Sequence, residues 1–225
     1  MGSMKILVFG DVHGKIDVLS NIIKNIKIKP DLVICPGDFT DMFERIEGFS
    51  QLDVSNMVIQ KLVSFRCPVL CVPGNHDPYD ILKLFDRYKI NIHGKKRNIN
   101  GLNFIGWGGA LTPFHTLFEP SDEETISNLE KLSKGLKDFV LIVHNPPKNT
   151  KVDKVFSGAH VGSEIIRNFI EKTKPILCIS AHIHEAGGVD KIGNTTLFYP
   201  GPVYEGKYGI VNIENKKVSC EIKKI

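Results

Sequence analysis

With 225 residues, 42 % apolar and 24 % charged, the chain is long enough for one large domain with a proper core. No stretch is apolar for eighteen residues and no charged segment precedes an apolar signal core, so neither a membrane span nor a secretory leader is expected, and the expected location is the cytoplasm. A net charge of +4 without a run of five like charges leans toward an anionic substrate and away from a stable nucleic-acid complex.

Gly2 and Ser3 precede a second methionine at Met4 and read as residues left by cloning, so 1–3 are set aside and 4–225 are read as a single domain. KILVFG predicts a strand, and the segment after it carries Val18, Leu19, Ile22, Ile23 and Ile26 at helical spacing. DLVICPG predicts a second strand, DVSNMVIQKLVSF an amphipathic helix and PVLCVPG a third strand. The first hundred residues therefore read as alternating α/β with a largely parallel sheet. Asn100-Gly101, between RNI and LNFIGW, signals a hairpin at which a second sheet begins. SDEE at 121–124 resembles a capping box for a helix ending near Gly135. DFVLIVH, GSEIIRNFIEKT and PILCISAH predict strand, helix and strand, and the last forty residues predict successive antiparallel strands turning at Gly193-Asn194 and Asn215-Lys216. The odd set Cys35, Cys67, Cys71, Cys178 and Cys220, mostly in apolar runs, is read as buried free thiols.

Five predicted strands end in polar clusters: GDVHG, GDFTD, GNHD, HNPP and AHIH. Singly each has a bland reading as a cap, a turn or a satisfied histidine. Converging on one face, uncompensated aspartates and imidazoles would cost several kcal/mol, a cost that a pair of metal cations removes. Carboxylate, imidazole and amide oxygen without thiolate suit Mn, Fe, Co, Ni or Zn better than Mg or Ca. Asp11 and His13, two apart after a strand, are expected to point the same way as alternate extended residues do.

The order DxH, GDxxD, GNHD, a lone His and xHxH resembles the calcineurin-like metallophosphoesterase superfamily over residues 4–202. That resemblance implies an αββα sandwich, two mixed sheets flanked by helices, with two divalent metal ions at the strand ends, Mn foremost. It assigns Asp11, His13 and His184 to one ion, Asn75, His144 and His182 to the other, and Asp38 as their bridge. It further implies that His76, oriented by Asp41, assists the leaving group while a metal-bridging hydroxide attacks a phosphodiester. The implied partner is a small phosphate ester, with a nucleotide among the candidates; alternatives are a phosphomonoesterase, a nucleotide pyrophosphatase or, in another class, a non-catalytic interaction scaffold of the same fold.

Two positions depart from the family pattern: Ala181 replaces the glycine before the last HxH pair, and Met42 stands where the protein phosphatases place a phosphate-gripping arginine. Lys148, Lys151 or Lys154 would be substitutes for that cation. Asp77 reads equally as support for the ligands or as a turn former. Gly162 and Ser163 could offer backbone N–H groups to phosphate or merely cap a helix, and His160 could touch substrate or be structural. Phe39, Phe43, Tyr79, Trp107 and Phe114 fall near the motif loops, where they could stack on an aryl group or simply pack.

Overall fold

The computed structural model describes residues 2–225; of the three leading residues, Met1 lies outside them. β1 (Met4–Val8), β2 (Leu32–Cys35) and β3 (Val69–Cys71) run parallel, with α1 (Ile16–Asn25) and α2 (Gln51–Val63) between them. β1 shows why a short apolar run becomes a central strand. Met4, Ile6 and Val8 enter the core between the two sheets, while Leu7, together with Phe9 just beyond the strand, enters the core under the helices. Each such fully buried aliphatic side chain contributes about 1.5–3 kcal/mol. α2 begins at a capping box in which Ser50 and Asp53 satisfy each other's backbone N–H.

α3 (Ile81–Arg87) was outside the predicted elements, because a seven-residue helix offers too few turns to establish a period. β4 (Lys96–Ile99) and β5 (Leu102–Trp107) form the expected hairpin, with both turn residues left-handed at Asn100 (φ 51) and Gly101 (φ 83). β5, β6 (Val140–Val143) and β7 (Leu177–Ile179) run parallel, and α4 (Asp122–Ser133) and α5 (Glu164–Thr173) connect them.

The C-terminal region differs from the predicted single antiparallel run. The hairpin of β8 (Gly188–Ile192) and β9 (Thr195–Tyr199) joins the second sheet with β9 parallel to β7, whereas that of β10 (Lys207–Glu214) and β11 (Lys217–Lys224) returns to the first sheet antiparallel to β1. Turn chemistry defined each hairpin, but burial chose the sheet. Leu197 and Tyr199 face the helices of the second sheet, while Val211 and Ile213 fill the space between sheets.

The strand orders are β11-β10-β1-β2-β3 and β4-β5-β6-β7-β9-β8, and three apolar cores separate four layers, the expected αββα sandwich. All five cysteines are free; Cys35, Cys71 and Cys178 are buried, and burial raises their thiol pKa values. No helix among the described residues is long and apolar enough to cross a membrane.

Candidate metal centre

β1, β2 and β3 of one sheet and β6 and β7 of the other end at a common seam, and the loops leaving them carry every site residue expected from sequence. Ligand atoms of Asp11, His13, Asp38 and His184 lie within 4.8 Å of one another, as do those of Asp38, His144 and His182. Asn75 joins the second group, its Oδ1 3.0 Å from His144 Nε2. The seven residues thus converge as two groups, and Asp38 belongs to both. Asp11, Asp38 and His144 are fully buried.

The loop geometry differs from the alternating extended residues anticipated for Asp11 and His13. β1 has ended by then, and Asp11, His13, Asp38 and His182 all occupy the left-handed region, with φ of 48, 46, 53 and 75. That conformation costs roughly 1–2 kcal/mol at a residue with a Cβ, and ladder-like bonds hold it. His13 N–H donates to the Asp38 carbonyl at 2.9 Å and Gly14 N–H to that of Phe39 at 2.9 Å. Two glycines permit the close approach of loops: a Cβ on Gly74 would stand 2.0 Å from Asp38 Oδ1, and one on Gly37 2.4 Å from His144 Nδ1. Ala181 stays outside the left-handed region, so its methyl brings no backbone strain.

The electrostatics ask for a cation. Asp38 Oδ1 accepts from the His76 N–H at 2.9 Å, but buried Oδ2 has no hydrogen-bond partner and is flanked by Nε2 of His144 at 3.3 Å and of His13 at 3.6 Å. Nε2 of His13 and His184 face each other at 3.0 Å, an arrangement that needs a proton or a cation between them. Burial works against charge on His13 and His144, yet Asp41, Asp38 and Asp11 around the first and Asp38 and Asp11 around the second raise both to about 9. His182 is lowered to about 3, mainly by burial, and His184 is lowered for the same reason. Desolvation would raise Asp38, but His144, His13 and His76 hold it far below the usual carboxylate range. A donor set of carboxylates, imidazoles and one amide oxygen, with an unshared oxygen at its midpoint, fits two borderline divalent cations.

Asp41 lies between two imidazoles, Oδ2 3.4 Å from His13 Nδ1 and Oδ1 3.4 Å from His76 Nδ1. It also accepts the N–H of Phe43 at 2.7 Å and of Glu44 at 3.2 Å and so caps its own loop. Met42 N–H also lies 3.4 Å from His76 Nδ1, so that nitrogen faces both a donor, which suits it bare, and the Asp41 carboxylate, which suits it protonated. Asp77 accepts from the N–H groups of Phe39, Thr40 and Gly74 and from the Thr40 hydroxyl, fastening the second loop to the third. Burial and the nearby Asp38 charge nevertheless push its carboxyl up to about 6.

Sequence reasoning missed three contributors. Tyr199 donates its buried hydroxyl to Asp11 Oδ2, Gln51 Nε2 donates to the His76 carbonyl at 3.1 Å, and the Tyr204 ring packs 5.3 Å from that of His184. Their motif-free surroundings carried no signal of this.

A cavity of about 540 Å³ opens beside Asp38, Asn75, His76, His182 and His184. Of the aromatic candidates only Phe43 and Phe114 line it. Phe39 is core, Trp107 stacks on His93 and donates to Thr125, and Tyr79 stacks on Phe118. The anion-binding option at Gly162 and Ser163 is closed, because their N–H groups already donate to Asp153 Oδ2 and the Pro146 carbonyl, and Ser163 caps α5. His160 binds the buried Asp153 at 2.7 Å and closes a small hairpin in that loop. Lys148 pairs with Glu164, and neither Lys151 nor Lys154 lines the cavity.

Known proteins share this arrangement of chain. Over 223 residues the chain is 37 % identical to the uncharacterized protein MJ1162 of Methanocaldococcus jannaschii, covering 94 % of this chain and 96 % of that one. It is 24 % identical to a protein of Arcobacter nitrofigilis bearing the name "Probable glycerophosphodiester phosphodiesterase GpdQ", over 77 % of this chain and 64 % of the relative's length. The crystal structure of TT1561 from Thermus thermophilus has the same fold, with a TM-score of 0.70 at 18 % identity over 97 % of this chain and 98 % of that one. The profile of the calcineurin-like phosphoesterases matches residues 4–186, from β1 through both HxH histidines, and the chain belongs to that family.

Proposed function

We propose that the protein is a dinuclear metal-dependent phosphodiesterase. The observation that carries this reading is the unshared, fully buried Asp38 Oδ2 between two ligand groups, with His76 beside them at the wall of an open cavity. Two divalent ions, Mn foremost, held by Asp11, His13 and His184 and by Asn75, His144 and His182 with Asp38 in common, would supply phosphate-charge neutralisation and a nucleophile from water at neutral pH. His76, half-buried, would donate its Nε2 proton to the departing ester oxygen, with the Asp41 carboxylate, 3.4 Å from Nδ1, accepting the other ring N–H and so leaving a neutral imidazole.

The preference for a diester follows from charge. A monoester dianion asks for a cation beyond the metal pair. Apart from histidines, the charged side chains lining the cavity among the described residues are Asp38 and Glu185, both acidic. The name of the Arcobacter nitrofigilis relative points the same way. With Mn²⁺ supplied, bis-(p-nitrophenyl) phosphate should be hydrolysed with higher kcat/KM than p-nitrophenyl phosphate. A tenfold preference for the monoester, abolished by changing Lys148, Lys151 or Lys154, would make the protein a phosphatase instead.

A further inference from the structure

The loops that surround the metal centre are unusually greasy for surface segments. Among the described residues, large apolar side chains exposed to solvent gather there: Phe43 and Phe114 at 67 % and 73 % exposure, with Leu111, Val161 and Phe156 beside them. Phe43, Leu111, Phe114, Val155 and Val161 all line the one cavity that contains His76. They come from three separate loops, after β2, β5 and β6, so the apolar wall is not an accident of one hydrophobic segment. Each loop is fastened. Thr112, Thr116 and Glu119 bond one another below Phe114, at 2.6 Å and 2.5 Å, and Asp153 with His160 closes the hairpin that carries Val155 and Phe156. Phe43 stands edge-on to His76 with ring centroids 5.5 Å apart. On the same wall Glu185 adds negative charge. A volume of about 540 Å³ that joins an apolar face to a set of convergent polar groups, Asp38, Asn75, His76, His182 and His184 among them, is what a small-molecule subsite looks like.

We propose that this cavity is a subsite for an apolar, aryl-sized ester arm, so that the substrate is a phosphodiester whose single negative charge faces the metals and whose arm carries no further anion. The proposal rests on the phosphodiesterase reading and deepens it. An aryl arm buried between Phe43 and Phe114 gains about ten- to a hundredfold in binding from apolar area, whereas an anionic arm meets Glu185 and no compensating lysine or arginine among the lining residues.

Three esters sharing the p-nitrophenolate leaving group test this on the Mn²⁺-loaded protein: methyl, phenyl and 3-carboxyphenyl p-nitrophenyl phosphate, each rate divided by that ester's hydroxide rate in solution. The phenyl ester should exceed both others in kcat/KM by about tenfold. Phe114→Ala should cut the phenyl-to-methyl ratio at least fivefold, mostly through KM, while Val189→Thr, at an exposed valine on β8, keeps it. Because the p-nitrophenyl group is itself aryl and leaves beside His76, similar corrected rates for all three esters together with equal binding of phenyl and methyl methylphosphonate would overturn the subsite and leave the phosphodiesterase reading standing. If none is hydrolysed, that reading falls, and binding decides the subsite alone. Calorimetric titration with the monoanions phenyl methylphosphonate and methyl methylphosphonate should show tighter binding of the phenyl compound that Phe114→Ala removes; equal binding would overturn the proposal.

Discussion

Asp38 shows how much one side chain carries. Its Oδ1 is committed to the His76 backbone, which leaves Oδ2 for the centre of the site. His76 is different: its ring forms a third group with His13 and Asp41, outside the two groups that share Asp38, and its backbone, not its ring, touches that carboxylate. His76→Ala should therefore retain two Mn²⁺ per chain by elemental analysis while losing activity on an alkyl diester by about 10²–10⁴-fold, the range for a lost general acid. Loss of a metal in that variant would reassign His76 as a ligand. Tyr199 acts one step further out. Its hydroxyl donates to Asp11, and partners of that kind orient a ligand at a cost of roughly 10–100-fold in metal affinity when removed. Tyr199→Phe should weaken Mn²⁺ binding in that range with little change in melting temperature; an unchanged affinity would reduce the tyrosine to core packing.

At the scale of elements, strands of only three to five residues aim long loops, and the loops are held by one another. Asp77 ties the loop after β2 to the loop after β3, and Gln51, in the first turn of α2, reaches Thr40 at 3.3 Å and the His76 carbonyl. His93 does the same on the far side of the β3 loop. It stacks on Trp107 with centroids 4.3 Å apart, and its Nδ1 accepts the Gly108 N–H at 2.9 Å, beside Gly109, which donates to the Pro73 carbonyl at 2.8 Å. Burial, with a smaller push from Lys95, lowers His93 to about 4. The folded value lies below the unfolded one, so the unfolded chain binds more protons between them. The stabilisation is full above about pH 6.5 and is lost as pH falls toward 4, on the order of 3 kcal/mol. His93→Gln, which cannot titrate, should show a smaller drop in melting temperature between pH 7 and pH 4.5 than the wild type; equal drops would mean that other groups govern acid sensitivity.

Across the whole molecule the site straddles two sheets. Asp11, His13, Asp38 and Asn75 come from the first, and His144, His182 and His184 from the second. An ion bound by both halves stabilises only the folded chain, by about 2.7 kcal/mol at a hundred times its Kd, and for a domain of this size each kcal/mol moves Tm by roughly 2–4 °C. Chelation of the Mn²⁺-loaded protein should thus lower Tm by about 5 °C or more, and Asp38→Asn should lose most of the difference. A melting curve indifferent to chelator would argue against ions at the seam.

The strand-end clusters were legible because each couples an apolar run, which must be buried, to polar residues that a buried strand cannot hold, so chemistry is forced to the loop. The period-2 and helical patterns determined the alternating α/β order, the Asn100-Gly101 turn and the two-sheet division on the same local grounds. What lay beyond them depends on pairing between distant segments. Which sheet β10 joins, the left-handed turns at Asp11 and Asp38, and the hydroxyl that Tyr199 brings to Asp11 are decided by packing and hydrogen bonds between residues up to 209 positions apart, Met4 and Ile213. A local pattern has no term for those contacts, whereas the folded chain adopts them because leaving the buried polar groups unpaired would cost more than the strained backbone does.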